Sequence, residues 1–423
     1  MKHSTAFQQK LDRHQGVLIV ALVLVMLCGL TYVNYQFSLS QPGGNDFLAR
    51  WTGAHYWLVK GVNPYAPEVS LAAQEYIYGR PARPELGEDV AHFVYPLPAM
   101  LFFAPFSFLS YPAARAGWMT LLEISLPLLV VFSLRLFSWR PGRMLQVAFL
   151  VFSLIWYHGM RAVIVGQFAV IEALLLIAAL LLYVEERDTF AGILLALGVA
   201  KPQMAVFIIP FLGLHALVKR RWHLLLSAGL TGVVMLAVSE LLLPGWILDW
   251  IQQLQEYPSY TAIGSPVSIL AGFFPRWNEP VNLGLSLLLA AGMLWSWRCA
   301  WRSGKRMLLW AAMVTLVITN LIVMRTATTN YVVLLPVLLY MFREWVERNS
   351  RLGRAGVYLL MMVLLVGVWW LFLTTVEGNV EGIAPYLPLP FITLIGVATL
   401  PQARHCFTRQ QDGPLKDGEP GLP

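Results

Sequence analysis

The sequence predicts an all-α polytopic membrane protein, a bundle of about 12 transmembrane helices with a large first extracytoplasmic loop. Three observations predict it. Hydrophobic residues make up 58% of the 423 and charged residues only 13%, about half the charge of a soluble domain. The apolar residues come in repeated runs close to the length a bilayer-crossing helix needs, about 20 residues. The basic residues then sort to one side of the chain's successive crossings. This composition excludes a soluble enzyme, a disordered chain and a disulfide-stapled secreted domain. The net charge of +7 belongs to basic cytoplasmic loops and not to nucleic-acid binding. Cys28, Cys299 and Cys406 stand far apart, with neither metal-ligand nor disulfide spacing.

The first run, 16–36, follows Lys2, Lys10 and Arg13. Its apolar core is too long for a signal peptide, and no A-x-A-like site follows. Residues 37–95 form the first outer loop. There Phe47, Trp51, Ala54, His55 and Leu58 recur at helical spacing, which predicts an amphipathic helix on the membrane surface. Residues 95–110 are apolar but hold Pro96, Pro98 and Pro105, so they are read as re-entrant, since such backbone survives at membrane depth only under cover. Further spans fall near 113–137, 144–160, 166–184, 222–243, 281–300, 307–324, 329–346, 355–375 and 386–401. Between Asp188 and Lys219, two short or tilted helices form a hairpin split at Lys201-Pro202. A second outer loop, 244–280, repeats the surface pattern at Ile247, Leu248, Ile251 and Leu254. Leaving 95–110 uncounted places 21 of the 30 basic residues on one side, which the positive-inside rule makes the cytoplasm, with both termini. Residues 1–405 then form one membrane domain, and 406–423 a disordered cytoplasmic tail.

Several polar groups are candidates for chemistry. Asp46 follows Gly43-Gly44-Asn45 at the start of the surface helix. It is either a helix-start carboxylate complementing the dipole or a general base at the membrane face. Gly61-Val62-Asn63-Pro64 ends that helix, and Tyr65 after it is either a turn residue or a ring packed on a sugar. Arg161, Gln167, Glu172, Lys201 and Arg325 fall toward the same outer side. Ionisable groups there are costly, and converging cations suggest a phosphate site, against the simpler reading that they snorkel or pair internally with Glu123 and Glu172. No Walker loop, dinucleotide glycine pattern, HExxH, GxSxG in a fitting context or D-x-D pair occurs, and the His residues show no metal-ligand spacing.

In order, Asn45-Asp46-Phe47, Ala54-His55-Tyr56, Gly61-x-Asn63-Pro64-Tyr65, Tyr95-Pro96-Leu97-Pro98, Ala104-Pro105, Gly166-Gln167 and Gly192 leading to Ala200-Lys201-Pro202 make one pattern. It resembles glycosyltransferase family 87 of the GT-C superfamily, over roughly residues 40–220. That family includes polyprenyl-phosphomannose-dependent α-mannosyltransferases. The resemblance implies a GT-C-like bundle whose first loop carries surface helices and the re-entrant segment. It further implies a polyprenyl-phosphate-sugar donor, no cofactor or metal, an outward-facing site and inversion at the anomeric carbon. Asp46 is then the catalytic base. Lys201, Arg161 and Arg325 hold the donor phosphate, and Asn45, Tyr65, Tyr95, Gln167 and Asn330 line the substrate. Family members often carry a late Ser-Pro…Trp…His stretch. Here that place reads Arg325-Thr326-Ala327-Thr328-Thr329-Asn330-Tyr331, so a role for that His is not carried over.

The expected function is transfer of a hexose, mannose first, to a glycan or glycolipid hydroxyl outside a bacterial plasma membrane. The partners are membrane lipids, the lipid-linked donor and the acceptor, with no nucleic acid. Two alternatives stay open: a transporter or flippase of a lipid or lipid-linked glycan, and an inactive scaffold derived from such enzymes. A transporter should show broken helices in both halves around a midplane site. The single large outer loop with an acid at its root favours the enzyme.

Overall fold

The computed structural model describes residues 2–41, 43–260, 264–301, 303–323, 327–378 and 381–408. Among them every regular element is helical. Helix α1 (Lys2–Ser40) is followed by α2 (Asn45–Lys60) and α3 (Pro67–Tyr78). Left-handed glycines, Gly61 and Gly79, end the latter two, and Pro67 opens the second. A run of short turns spans Leu97–Phe106, about 15 Å at helical rise and so half the apolar thickness of a bilayer. It cannot cross alone, as Pro98 and Pro105 within it and Pro96 just before it predict.

Next come α4 (Tyr111–Leu136), α5 (Arg143–Ile155), α6 (Tyr157–Val165), α7 (Ala169–Val184), α8 (Asp188–Leu197), α9 (Ile208–Val218) and α10 (Trp222–Leu242). The second half holds α11 (Trp246–Tyr260), α12 (Pro266–Gly272), α13 (Asn278–Trp301), α14 (Lys305–Ile322), α15 (Leu335–Arg348), α16 (Ser350–Met362), α17 (Val368–Thr375), α18 (Pro388–Thr399) and α19 (Pro401–Thr408). Six helices among the described residues are long and apolar enough to cross a membrane, or seven if the α5–α6 pair, bent by 44°, is one span. The expected 12 arises because the remaining apolar runs fold as shorter helices, Asp188–Ala200 and Ile208–Val218 among them. The tail expected over 406–423 falls mostly outside the described residues, and α19 runs through its start, to Thr408.

Helix α14 is buried at the centre, whereas α1, α10, α13 and α16–α17 expose apolar faces, for example Leu18, Leu226, Leu288 and Trp370. An apolar helix that shows its side chains outward needs an apolar solvent. The chain is an integral membrane protein. Helices α4 and α7 run the same way. Each begins near the Gly43 and Gly166 turns, and they end together where Arg135 pairs with Glu185 at 2.7 Å. At that end Arg221 also pairs with Asp188, Arg306 with Glu344, and Lys305 with Ser138. The basic turns therefore gather at one end of the bundle, and Asp46 lies at the other.

One sequence expectation changes and two are refined. Helix α2 buries Phe47, Leu48 and Ala54 against protein, with Trp51 Nε1 donating to the Phe106 carbonyl (3.1 Å), while Leu58 stays 38% exposed. Helix α11 turns its polar side inward. Asn63 Nδ2 donates to Asp249 (2.7 Å), and Gln253 Nε2 donates to the Tyr65 carbonyl (3.0 Å), while Leu248 stays 73% exposed. Cys299 and Cys406, far apart in sequence, are joined as a disulfide with Cα atoms 5.8 Å apart.

Candidate active site

Two glycine turns build the site. Gly44 has φ 73°, and a Cβ there would lie 2.6 Å from Arg115 Nε and 2.9 Å from the Tyr111 hydroxyl. Both side chains clamp the turn. Tyr111 donates to the Gly43 carbonyl (2.5 Å), and Arg115 Nη1 donates to the Gln41 carbonyl (2.6 Å). Helix α2 starts directly after, which puts Asp46 in its first turn. On the facing element Gly166, also at φ 73°, ends α6, and a Cβ there would collide with the Phe47 Cβ. Trp118 Nε1 fixes this second turn through the Gly166 carbonyl (2.9 Å). Only a residue without a side chain fits either position. The close approach brings together Asp46 and Gln167, 121 positions apart.

Gln167 is the centre of the resulting network. Its Nε2 donates to Asp46 Oδ2 (3.1 Å), and its Oε1 accepts from Lys201 Nζ (2.6 Å) and, more weakly, from the Tyr95 hydroxyl (3.4 Å). A lysine only donates and a carboxylate only accepts, so the orientation of the amide is fixed by its neighbours. Lys201 precedes Pro202, which opens a short helix and holds Lys201 outside helical backbone (φ −126°, ψ 76°). Its side chain is 3% exposed. Burial pushes the ammonium down to about 7, partly offset by the charge of Asp46. Arg50, one turn beyond Asp46, reaches its Oδ1 at 3.5 Å and lies 4.8 Å over the Tyr95 ring. That long contact leaves Asp46 31% exposed. Burial pushes the Tyr95 hydroxyl up, so it stays a neutral donor.

The other predicted residues separate. Asn45 is exposed at the start of α2. Tyr65 is buried, with its hydroxyl donating to the Tyr95 carbonyl (2.8 Å), so it braces Tyr95. Arg161 lies 4.9 Å over the Phe372 ring, within electrostatic reach of Glu381. Asn330 is buried in a tight helical turn, and its Oδ1 has no hydrogen-bond partner among the described residues. Arg325 lies outside the described residues. Glu172 is fully buried beside Lys201, whereas Glu123 accepts from Asn34 (2.7 Å).

Sequence reading missed a second polar centre beside Arg161. Glu381 accepts from the Tyr157 hydroxyl and from Thr328 (2.7 and 2.9 Å), and His158 Nδ1 donates to the Thr328 carbonyl (2.9 Å). No local signal ties positions 157, 328 and 381. Arg50 could have been found, because it stands at i+4 from Asp46 on a predicted helix.

An apolar groove of about 350 Å³ is lined by Pro202, the residue after Lys201, with Val206, Phe207 and Ile322. A carboxylate, a buried cation and an apolar groove in one region suit a reaction between a hydroxyl and an anionic lipid. Comparison with curated proteins and with solved structures yields no match. The sequence model of glycosyltransferase family 87 matches residues 93–326, more than half of the chain and the part that holds Gln167 and Lys201, and the protein therefore belongs to glycosyltransferase family 87, a family of membrane glycosyltransferases.

Proposed function

We propose that the protein moves a hexose, mannose first, from a polyprenyl-phosphate donor to an acceptor hydroxyl at the extracytoplasmic face. The observation that carries this reading is the line Asp46–Gln167–Lys201, in which a solvent-open carboxylate and a buried cation share one amide. Asp46 takes the proton of the acceptor hydroxyl, whose oxygen attacks the anomeric carbon from the side opposite the phosphate. The bond from that carbon to the phosphate oxygen breaks with inversion. Lys201 stabilises the charge that grows on the leaving phosphate, with Arg161 and Arg325 completing the donor site. The groove at Pro202, Val206 and Phe207 takes the first isoprene units.

The positive-inside rule supports the orientation. The basic end of the bundle belongs in the cytoplasm, so the Asp46 end faces out. The chemistry requires no nucleotide, in keeping with a lipid-phosphate leaving group. The test is Asp46→Asn, which keeps shape and removes basicity. Transfer in membranes matched for protein level should fall about 10²–10⁴-fold, while folding changes by about 0.3–1 kcal/mol. Near wild-type transfer would remove Asp46 from the reaction.

A further inference from the structure

The bundle holds a second, polar cavity that the transfer reaction does not use. It has a volume of about 570 Å³ and lies among the basic turns. From Asp188 at its rim, α8 and the turn after it lead to Lys201. Those 13 residues span about 20 Å at helical rise, so this cavity is separate from the Asp46 site.

Its lining holds three cations, Lys219, Arg221 and Lys305, and two acids, Glu186 and Asp188. Asp188 is already used. Both its oxygens accept from Arg221, which also donates to the Tyr183 carbonyl (2.7 Å) and stacks 3.7 Å over the Tyr183 ring. That pair is neutral and rigid. Against Glu186 stand two lysines that no described carboxylate pairs with, Lys305 reaching only the Ser138 hydroxyl at 3.3 Å. The cavity therefore carries an excess of positive charge on two flexible side chains in front of a fixed guanidinium.

Helix ends modify this balance without reversing it. The C-termini of α7 and α9 point here with about half a negative charge each. Turn bonds cap them, Arg187 N–H to the Leu182 carbonyl and Arg221 N–H to the Ala216 carbonyl, both 2.8 Å. The N-terminus of α14 opens on the cavity through Gly304 and Lys305, with no acidic residue in its first turn. A full charge on each lysine outweighs capped partial charges. On the side where lipid headgroups carry negative charge, basic pockets between helix ends collect phosphates.

We infer that this cavity binds the phosphate group of an anionic ligand, with Lys219 and Lys305 as the contacting cations and Arg221 as the fixed wall. An anionic phospholipid headgroup and a soluble phosphate share this chemistry, and the test separates them. The full-length protein would be released from nanodiscs of phosphatidylglycerol and phosphatidylcholine in equal parts and weighed by native mass spectrometry. Wild type should retain phosphatidylglycerol over phosphatidylcholine. The double variant Lys219→Gln/Lys305→Gln should lose that retention about thirtyfold, and each single variant about fivefold. Lys219→Arg/Lys305→Arg should keep it. Arg140→Gln removes an exposed charge that does not line the cavity and should change nothing.

In a second arm, inorganic phosphate is added to lipid-free protein in detergent and the melting temperature is read. Phosphate stabilisation of wild type but not of the double variant, without lipid retention, assigns the site to a soluble phosphate. Equal retention by wild type and Lys219→Gln/Lys305→Gln, equal loss in Arg140→Gln, or no binding in either arm overturns the proposal. The single variants keep the test decisive if the double variant does not fold.

Discussion

Burial pushes the Lys201 ammonium down to about 7, so its charge is lost as pH rises through neutrality. The protonated form is the one that faces a phosphate. A lysine at its ordinary value of about 10.4 would stay charged throughout that range. In this reading kcat/KM for the donor falls as pH rises above about 7, toward tenfold per unit, because kcat/KM reports the free enzyme. Lys201→Arg keeps its charge at any accessible pH. It should move that falling limb above pH 9, as a flag of about two units or more, even if the maximal rate drops because the guanidinium meets Gln167 differently. A pH profile of donor use for both proteins checks this, and an unmoved limb removes Lys201 from the donor site. The residue scale also shows what was legible. Asp46, Lys201 and Gln167 all stood out as candidates, but nothing along the chain showed that Gln167 joins the other two.

At the scale of elements, the site depends on two turns meeting. Gly166 sits at φ 73° with the Phe47 Cβ against the place its own Cβ would occupy. Gly166→Ala must therefore carry backbone strain and push α2 away from α6. Such strain costs about 1–3 kcal/mol. The expected result is a lower melting temperature in detergent together with reduced transfer, because Gln167 leaves Asp46. A variant with unchanged stability and unchanged transfer would mean that the close approach is dispensable. Helix α11 teaches a related point. Its apolar residues Ile247, Leu248, Ile251 and Leu254 were recognisable by period, and their spacing is that of a helix. Which side faces the protein was decided by Asp249, Trp250 and Gln253, whose polar groups bond the first loop.

For the whole molecule, the two ends differ in kind. One gathers Arg135, Arg221, Lys305 and Arg306 with their carboxylate or hydroxyl partners, and the other holds the Asp46 network. The proposed orientation puts the first inside. In a Cys28→Ser background, Arg83→Cys, an exposed position of the first loop, should react with an impermeant thiol reagent from outside the cell. Arg140→Cys, exposed at the basic end, should react only after the membrane is opened. The reverse pattern would turn the enzyme over and place Asp46 in the cytoplasm.

The sequence by itself determined the class of the molecule, the broken segment at 95–110, the sorting of basic turns and the family pattern. Each rests on composition, on run length or on motifs a few residues long, which a chain carries whether or not it is folded. Only the tertiary structure decided that Asp46 meets Lys201 through Gln167, that Tyr65 is spent on Tyr95 and that Glu381 joins Tyr157. It also decided that Cys299 meets Cys406. Those contacts join positions up to 224 apart. Such partners are chosen by how helices pack, by where a glycine lets two turns touch and by which buried polar group still lacks a hydrogen bond, and none of these has a period along the chain.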